Sequence, residues 1–363
     1  MKAVEVLSGR MDPSETRLAA DVMKGFTSFQ EGDVLAAKIT PCMENGKVAI
    51  ARGLKNGIGF GSTEFHVIRA LADISREYVL FYLLQERIRR EARLNMTGAV
   101  GQLRVPAAFL DALDLPLPPA PEQRRIVAMI EELFSKLDAG VEELEKAKAQ
   151  LKRYRQSVLK AAFSGELTGD WRKKRLATSK EPPETAQELL ERIREERKRL
   201  ATSEGRKWKE PPTLDTSELP ELPEGWAWAR MDAVNHRIQD GTHFSPTEQF
   251  DSPGDDRYPY VTSKNIRDWG MELDDITYVS EGTHRPIYDR CNPELGDVLL
   301  VKDGVNTGTV TTNTLDGEFS LLSSVALLKP IRHGLNPDYL RYYLASPIGQ
   351  RMIAGRMSGV SPV

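Results

Sequence analysis

Between Pro121 and Phe163 the chain carries a heptad repeat. Ile130, Leu137, Leu144, Leu151 and Val158 recur every seven residues, and Leu133, Ala147, Tyr154 and Ala161 fill the position three residues on, with Gly140 the one poor member. An a/d seam kept over about five heptads predicts one long coiled-coil helix. At a rise of ~1.5 Å per residue it spans roughly 60 Å, longer than most single domains are wide. Such a helix is a spacer as much as a core. It begins cleanly, because the prolines of Leu115-Pro116-Leu117-Pro118-Pro119 cannot continue a helix while Pro121 suits a first turn. Glu122 lies beside the positive helix end, where an acid is favoured.

The stretches on either side of the helix resemble each other. Gly32-Asp33-Val34-Leu35 reappears as Gly296-Asp297-Val298-Leu299, each followed by a Lys and a Gly-containing loop. Tyr78-Val79-Leu80-Phe81-Tyr82-Leu83 is echoed by Tyr339-Leu340-Arg341-Tyr342-Tyr343-Leu344, and Met96-Thr97-Gly98-Ala99 by Met357-Ser358-Gly359-Val360. Three short matches in one order at nearly one offset indicate duplicated modules. The 363 residues suffice for a core in each. An α+β chain follows: residues 1–118 and 222–363 as related modules, 119–165 as the coiled-coil spacer, and 166–221 as a charged linker with a short helix from Thr185 to Leu200 that folds back along the spacer.

Within the first module, Val34 to Ile39 and Val48 to Ile50 read as a hairpin, Glu64 to Arg69 as a strand, and Arg76 to Leu94 as a helix. That helix turns Tyr78, Phe81, Tyr82, Leu84 and Ile88 inward and Arg87, Arg89, Arg90 and Arg93 outward. The second module opens at Leu222-Pro223-Glu224-Gly225-Trp226-Ala227-Trp228, whose tryptophans are expected to pack as a hydrophobic plug. A strand over Tyr258 to Val261 and a hairpin from Val298 to Val310 follow.

Composition removes several function classes. No apolar run approaches membrane-spanning length and the N-terminus lacks a signal-peptide pattern, so a cytoplasmic protein is expected. Cys42 and Cys291 stand alone, which speaks for free buried thiols rather than a disulfide framework or a zinc site. The net charge of −3 is not that of a basic nucleic-acid-binding domain, although a local cluster of Lys and Arg can bind phosphate on one face.

The Leu-Pro-Glu-Gly-Trp opening at 222–226, the Gly-Asp-Val-Leu strand with its Lys302-Asp303-Gly304 loop, the Pro-Leu-Pro-Pro segment running into Glu122-Gln123-Arg124-Arg125-Ile126, and the helix end at Ser164-Gly165-Glu166-Leu167 resemble the specificity (S) subunit of type I restriction-modification systems. The resemblance covers essentially the whole chain. It implies a non-catalytic subunit with two target recognition domains, each reading half of a bipartite double-stranded DNA site. The helix between them sets the unread spacer and docks methyltransferase (M) subunits, with restriction (R) subunits joining through the complex. S-adenosylmethionine, ATP and magnesium are then expected only in partner subunits, with no cofactor in this chain. In the family a second long helix packs antiparallel to the first. Here nothing before Gly32 matches residues 226–266, and the sequence stops where the first module runs on through Gly101, Gln102, Leu103 and Arg104. The chain is therefore expected to be truncated at both ends relative to the family, its seam buried by self-association or by a separately encoded fragment.

The catalytic alternatives lack their motifs. Asn292-Pro293-Glu294-Leu295 has neither the second proline nor the aromatic ring of an amino-methyltransferase site, and no phosphate-binding Gly-x-x-x-x-Gly-Lys-Ser/Thr loop exists. The acid pairs Asp255-Asp256 and Asp274-Asp275 have no adjoining Lys for a metal-dependent nuclease. His243 and His284 read as surface or DNA-facing residues. A coiled-coil assembly or scaffold fragment that no longer binds DNA is the remaining alternative. For DNA contact the candidates are Lys38, Thr40, Asn45, Lys47, Thr97 and Gly98 in the first module. In the second they are Thr262, Ser263, Lys264, Asn265, Lys302, Gly304, Asn306, Thr307, Ser358 and Gly359. These small, hydrogen-bonding and cationic groups can approach a backbone closely and donate to phosphates or base edges. No metal ligands are expected.

Overall fold

Gly32 and Gly296 both hold positive φ, +91° and +87°, a conformation that glycine adopts without a Cβ penalty. Each turns the chain into a strand of apolar residues, Val34–Ala37 and Val298–Val301. These strands are the centres of two sheets in a computed structural model that describes residues 1–99, 101–178 and 183–355. The chain divides into two compact units, Met1–Lys146 and Ala147–Val363.

In the first unit the central strand lies antiparallel between Val48–Ile50 and Phe65–Ile68, with Val34 opposite both Ile50 and Ile68. Alternate residues serve two cores. Val34 and Ala36 pack with Leu80, Tyr82, Leu83 and Ile88, whereas Leu35 and Ala37 pack with Val4, Phe29 and Phe65. Coverage on both faces explains why the strand is apolar throughout rather than alternating. The helix expected over 76–94 is two helices, Arg76–Leu84 and Glu86–Leu94, separated by Gln85 at ψ 136°. This break lets Leu80 and Leu83 from one helix and Ile88 from the next face the same core. It also corrects Arg89, which turns inward and donates to the carbonyls of Leu84 and Glu44 at 3.2 and 2.6 Å.

The second unit repeats the plan. Val298–Val301 lies between Val310–Thr312 and Val325–Pro330, with Val298 opposite Thr312 and Leu328, and Asn235–Asp240 adds a fourth strand. The helix pair is Pro337–Ala345 and Pro347–Ala354, broken at Ser346. Here Pro347 makes the break visible in sequence, because the residue before a proline is pushed out of the helical region. A further sheet, Thr277–Ser280, Arg257–Val261 and Ser320–Leu321, packs Val261 and Leu321 into one core with Leu299, Val301 and Leu327.

One helix, Ala120–Phe163, runs for 44 residues as the heptads predict. Its first turns belong to the first unit. Gln123, 2% exposed, accepts from the Ser75 amide at 2.8 Å and donates to the Pro118 carbonyl at 2.8 Å, and Phe134 meets Phe81 edge-on. Its last turns belong to the second unit, where Phe163 sits between Tyr339 and Tyr343 with ring centroids 5.2 and 5.4 Å away. Tyr78 and Tyr82 are the residues that the repeat aligns with those tyrosines, and their hydroxyls bond the Pro116 and Asp114 carbonyls just ahead of the long helix. Of the seam, Leu133, Leu137, Leu144, Leu151 and Tyr154 are exposed, while Ile130 and Val158 are half-buried.

Three other expectations change. The linker contains a helix, Gly169–Thr178, that was not foreseen, and its second helix, Ala186–Ser203, packs buried Ile193 against Val234 and Ile331 of the second unit. Trp226 and Trp228 are half-buried rather than a core plug. The Arg172 guanidinium lies 5.5 Å from the Trp226 ring centroid, and Trp228 Nε1 donates to the Pro220 carbonyl at 2.9 Å. Of the two thiols, Cys291 is buried, with its pKa pushed up to about 11 by desolvation, but Cys42 is only partly covered.

Candidate nucleic-acid interface

In the first unit the central strand delivers Lys38 and Thr40 to the edge of the sheet, where the loop after the helix pair meets them. The Thr40 amide donates to the Leu103 carbonyl at 3.0 Å, the Val105 amide to Lys38 O at 2.8 Å, and Thr97 and Arg104 exchange two backbone bonds of 2.9 Å. Lys38, Thr40, Thr97 and Gly98 are thereby brought together. Gly98 is required at φ +129°, since a Cβ there would come within 2.8 Å of the Gln102 carbonyl oxygen. Asn45 is exposed on the turn that follows, and Thr40 Oγ1 donates to Glu44 at 2.6 Å. Lys47 stands apart, its ammonium donating to the Met1 carbonyl at 3.0 Å.

The second unit builds its edge from four loops. The Thr242 amide donates to Leu321 O at 2.7 Å, Ser323 N to Thr242 O at 2.8 Å, Leu322 N to Val261 O at 3.0 Å, and Lys302 N to Ser324 O at 2.9 Å. These bonds gather Thr262, Ser263 and Lys264 beside Lys302. Gly241 allows the approach, because a Cβ would fall 1.8 Å from the Leu321 oxygen. The hairpin loop carries Gly304 at φ +95° and exposed Asn306, with Thr307 Oγ1 donating to Gly304 O at 2.6 Å. Gln350 Nε2 ties the base of that loop to the helix pair by donating to Gly308 O at 2.8 Å. Asn265 is different: at 2% exposure its amide accepts from Thr262 N at 3.0 Å and donates to Glu272 O at 3.2 Å, so it shapes the turn. Ser358 and Gly359 lie outside the described residues.

His284, expected at the surface, is fully buried. Its ring stacks on Tyr258 at 3.8 Å, with Nδ1 3.0 Å from Ser320 Oγ and Nε2 3.2 Å from Glu318. Burial holds its pKa below the usual histidine value. His243 is exposed and lies 3.9 Å from the Asp240 carboxylate.

Sequence reading missed the charged groups that frame both edges. The Glu64 carboxylate is held by Arg104 through Nε and the terminal nitrogen, each at 2.9 Å, which lowers the carboxyl below its ordinary range. Asp240 accepts from Lys302 Nζ at 2.7 Å, and Arg290 donates to the Asp240 carbonyl at 3.3 Å. Among the described residues no group of three or more His, Cys, Asp or Glu is placed to hold a metal ion.

The fold is that of a duplicated α+β module on a helical connector, with cationic and hydroxyl-bearing loops at the same sheet edge in each copy. Comparison with known proteins places this fold in a family. Residues 18–152 match the family described as Type I restriction modification DNA specificity domain. The specificity subunit of the Escherichia coli type I restriction enzyme EcoAI is 34% identical over 409 aligned positions, covering 98% of this chain and 67% of its own length. That of EcoEI, also from Escherichia coli, is 30% identical, covering 80% of this chain and 54% of its own length. The chain therefore belongs to the type I restriction-modification specificity subunits, a non-catalytic class, and spans about two thirds of the length of the first relative and about half of the second. The crystal structure of the HsdS subunit from Thermoanaerobacter tengcongensis shares the fold at TM-score 0.50 and 18% identity, over 99% of this chain and 74% of that one. A structure from work on assembly and conformational transition of the type I system does so at TM-score 0.55 and 19% identity, over 96% and 72%.

Proposed function

We propose that this chain reads DNA for a type I restriction-modification complex, each unit contacting one half of a bipartite duplex and the long helix setting the unread spacer. The observation that carries this is the recurrence of a lysine at one register position, Lys38 and Lys302, at the loop-bearing edge of both sheets. Phosphate contact through those lysines positions a module, while Thr40, Asn45 and Thr97 in one and Thr262, Ser263, Asn306 and Thr307 in the other supply groups for base edges. Lys264, Gly98 and Gly304 complete the contact surfaces as a cation and two close-approach turns.

Methyltransferase subunits would dock along the helix, and restriction subunits would join through them. S-adenosylmethionine, ATP and magnesium belong to those partners, and the complex acts in the cytoplasm. The exposed leucines at 133, 137, 144 and 151 support a further association, with a second copy or a complementing helix. The test is selection from a randomised duplex pool by the chain mixed with its methyltransferase subunit, followed by sequencing. Two short fixed blocks at constant spacing are the expected result. Association of the proteins without any enriched sequence would leave the chain as an assembly fragment.

A further inference from the structure

Lys38 and Lys302 are each the first residue beyond their central strand, and each bonds across to the flanking strand, Lys38 N to Glu64 O at 3.0 Å and Lys302 N to Ser324 O at 2.9 Å. Beside each stands a carboxylate already engaged with a cation. In the first unit it is Glu64, the residue facing Lys38, and Arg104 holds it. In the second the facing position is Ser324, which has no charge, and the carboxylate comes instead from Asp240, opposite Ala326 at the end of the outer strand. Asp240 takes the Lys302 ammonium at 2.7 Å, and Arg290, whose guanidinium lies 3.4 Å from His243 Nε2, completes the group. The two units thus reach the same combination with non-equivalent residues. Both carboxylates stay partly exposed, Glu64 just ahead of its strand and Asp240 as the last residue of the outer one.

We propose that Glu64 and Asp240 are specificity-determining tethers, which hold Arg104 and Lys302 away from random DNA and release them to backbone phosphates on a matching site. The inference rests on the DNA-reading role proposed above. An untethered cation attracts any phosphate, because that attraction carries no sequence information. A carboxylate at the same spot cancels the attraction and repels the duplex. A half-exposed ion pair contributes little of its own, so it exchanges readily for a phosphate once base contacts have seated the loops.

The test compares binding of the full chain, mixed with its methyltransferase subunit, to a ~30-base-pair random duplex and to the selected duplex, over a range of salt. Asp240→Asn and Glu64→Gln keep shape and hydrogen-bonding oxygen while removing charge. Each should tighten random-duplex binding about three- to tenfold and selected-duplex binding less, so the specificity ratio falls. Lys302→Gln should weaken selected-duplex binding and reduce its salt slope by about 0.9, with a smaller change on the random duplex. In the Lys302→Gln background, Asp240→Asn should relieve repulsion of both duplexes alike and leave the specificity ratio unchanged, since no tethered cation remains to be freed. A fall in the ratio in that background equal to the one in the wild type, or unchanged ratios in both carboxylate variants, would overturn the tether while leaving DNA reading intact. A wild-type chain that binds neither duplex at any salt would overturn both.

Discussion

Arg69 closes on the Asp33 carboxylate through two hydrogen bonds of 2.7 Å each, one residue past the Val34–Ile68 pairing. At the same register in the other unit, Lys329 Nζ donates to Asp297 at 2.8 Å, one residue past Val298 and Leu328. Both acids also accept a backbone amide, from Gln30 at 2.7 Å and Glu294 at 2.8 Å, so each fastens the turn entering the central strand. The settings differ. Arg69 is 59% exposed, whereas Lys329 is 9% exposed. Both acids are buried, so the difference lies in the cations: water can take the place of exposed Arg69, whereas Lys329 is itself covered. Lys329→Met should therefore cost about 3–5 kcal/mol and Arg69→Met about 1–2 kcal/mol in urea unfolding. Asp297→Asn added to Lys329→Met should recover part of the loss, because the stranded charge goes with it.

The two units should also respond to different parts of the acid range. Arg69 holds the Asp33 carboxyl below the usual aspartate value. The stability this gives is present above about pH 4 and is lost as pH falls through the lowered folded value. His284 runs on a different group, with its pKa lowered by burial. Its neutral ring stabilises the fold fully above about pH 6.5, and that contribution drains away as pH falls from there to the lowered value, because only the unfolded chain takes up the proton. Between about pH 7.5 and 5 the second unit should lose the His284 contribution, opposed by Asp297, whose carboxyl is raised by burial, and His284→Gln should remove the His284 part of the slope. A slope unchanged by the substitution would assign the effect elsewhere.

Gln123 is the polar residue that the first unit can least spare on the long helix. Its amide pairs the Ser75 N–H, at the start of the helix that packs on the sheet, with the Pro118 carbonyl ahead of its own helix. Gln123→Leu fills the space but strands both groups and should cost about 2–3 kcal/mol in the first unit. Gln123→Glu keeps the acceptor for Ser75 and loses the donor to Pro118, so its loss should be similar or larger once the buried carboxylate is ionised. Separate transitions for the two units in denaturant would show the change in the first alone.

Features written in local pattern were legible in the sequence. The heptads gave Ala120–Phe163 almost to the residue, and the repeated Gly-Asp-Val-Leu gave both central strands. What was hidden depends on partners distant in sequence. Gln85 breaks a helix without glycine or proline because the core asks for two directions, while its counterpart Ser346 is announced by Pro347. Glu64 meets Arg104 across 40 residues and Lys302 meets Asp240 across 62, so neither pairing leaves a local signature. His284 looked like a surface histidine for the same reason, its partners lying 34 and 36 residues away.

Leu144 is 72% exposed and Leu151 67%, a spacing of two helical turns on one side of the helix. Isolated surface leucines are ordinary, but a row at heptad spacing presents the knobs of a helix–helix contact. Glu132–Lys136 and Glu142–Lys146 pair along the same helix, so charge keeps it soluble between contacts. Sedimentation should show the chain self-associating at micromolar concentration or forming a defined complex with an added helix of matching heptads. Leu144→Glu with Leu151→Glu should abolish that association while leaving unfolding of both units unchanged, because neither side chain belongs to a core. A wild-type chain that stays monomeric and fully helical through this stretch, with no complementing helix able to bind, would remove the seam as a contact and leave the charged faces to carry the helix alone.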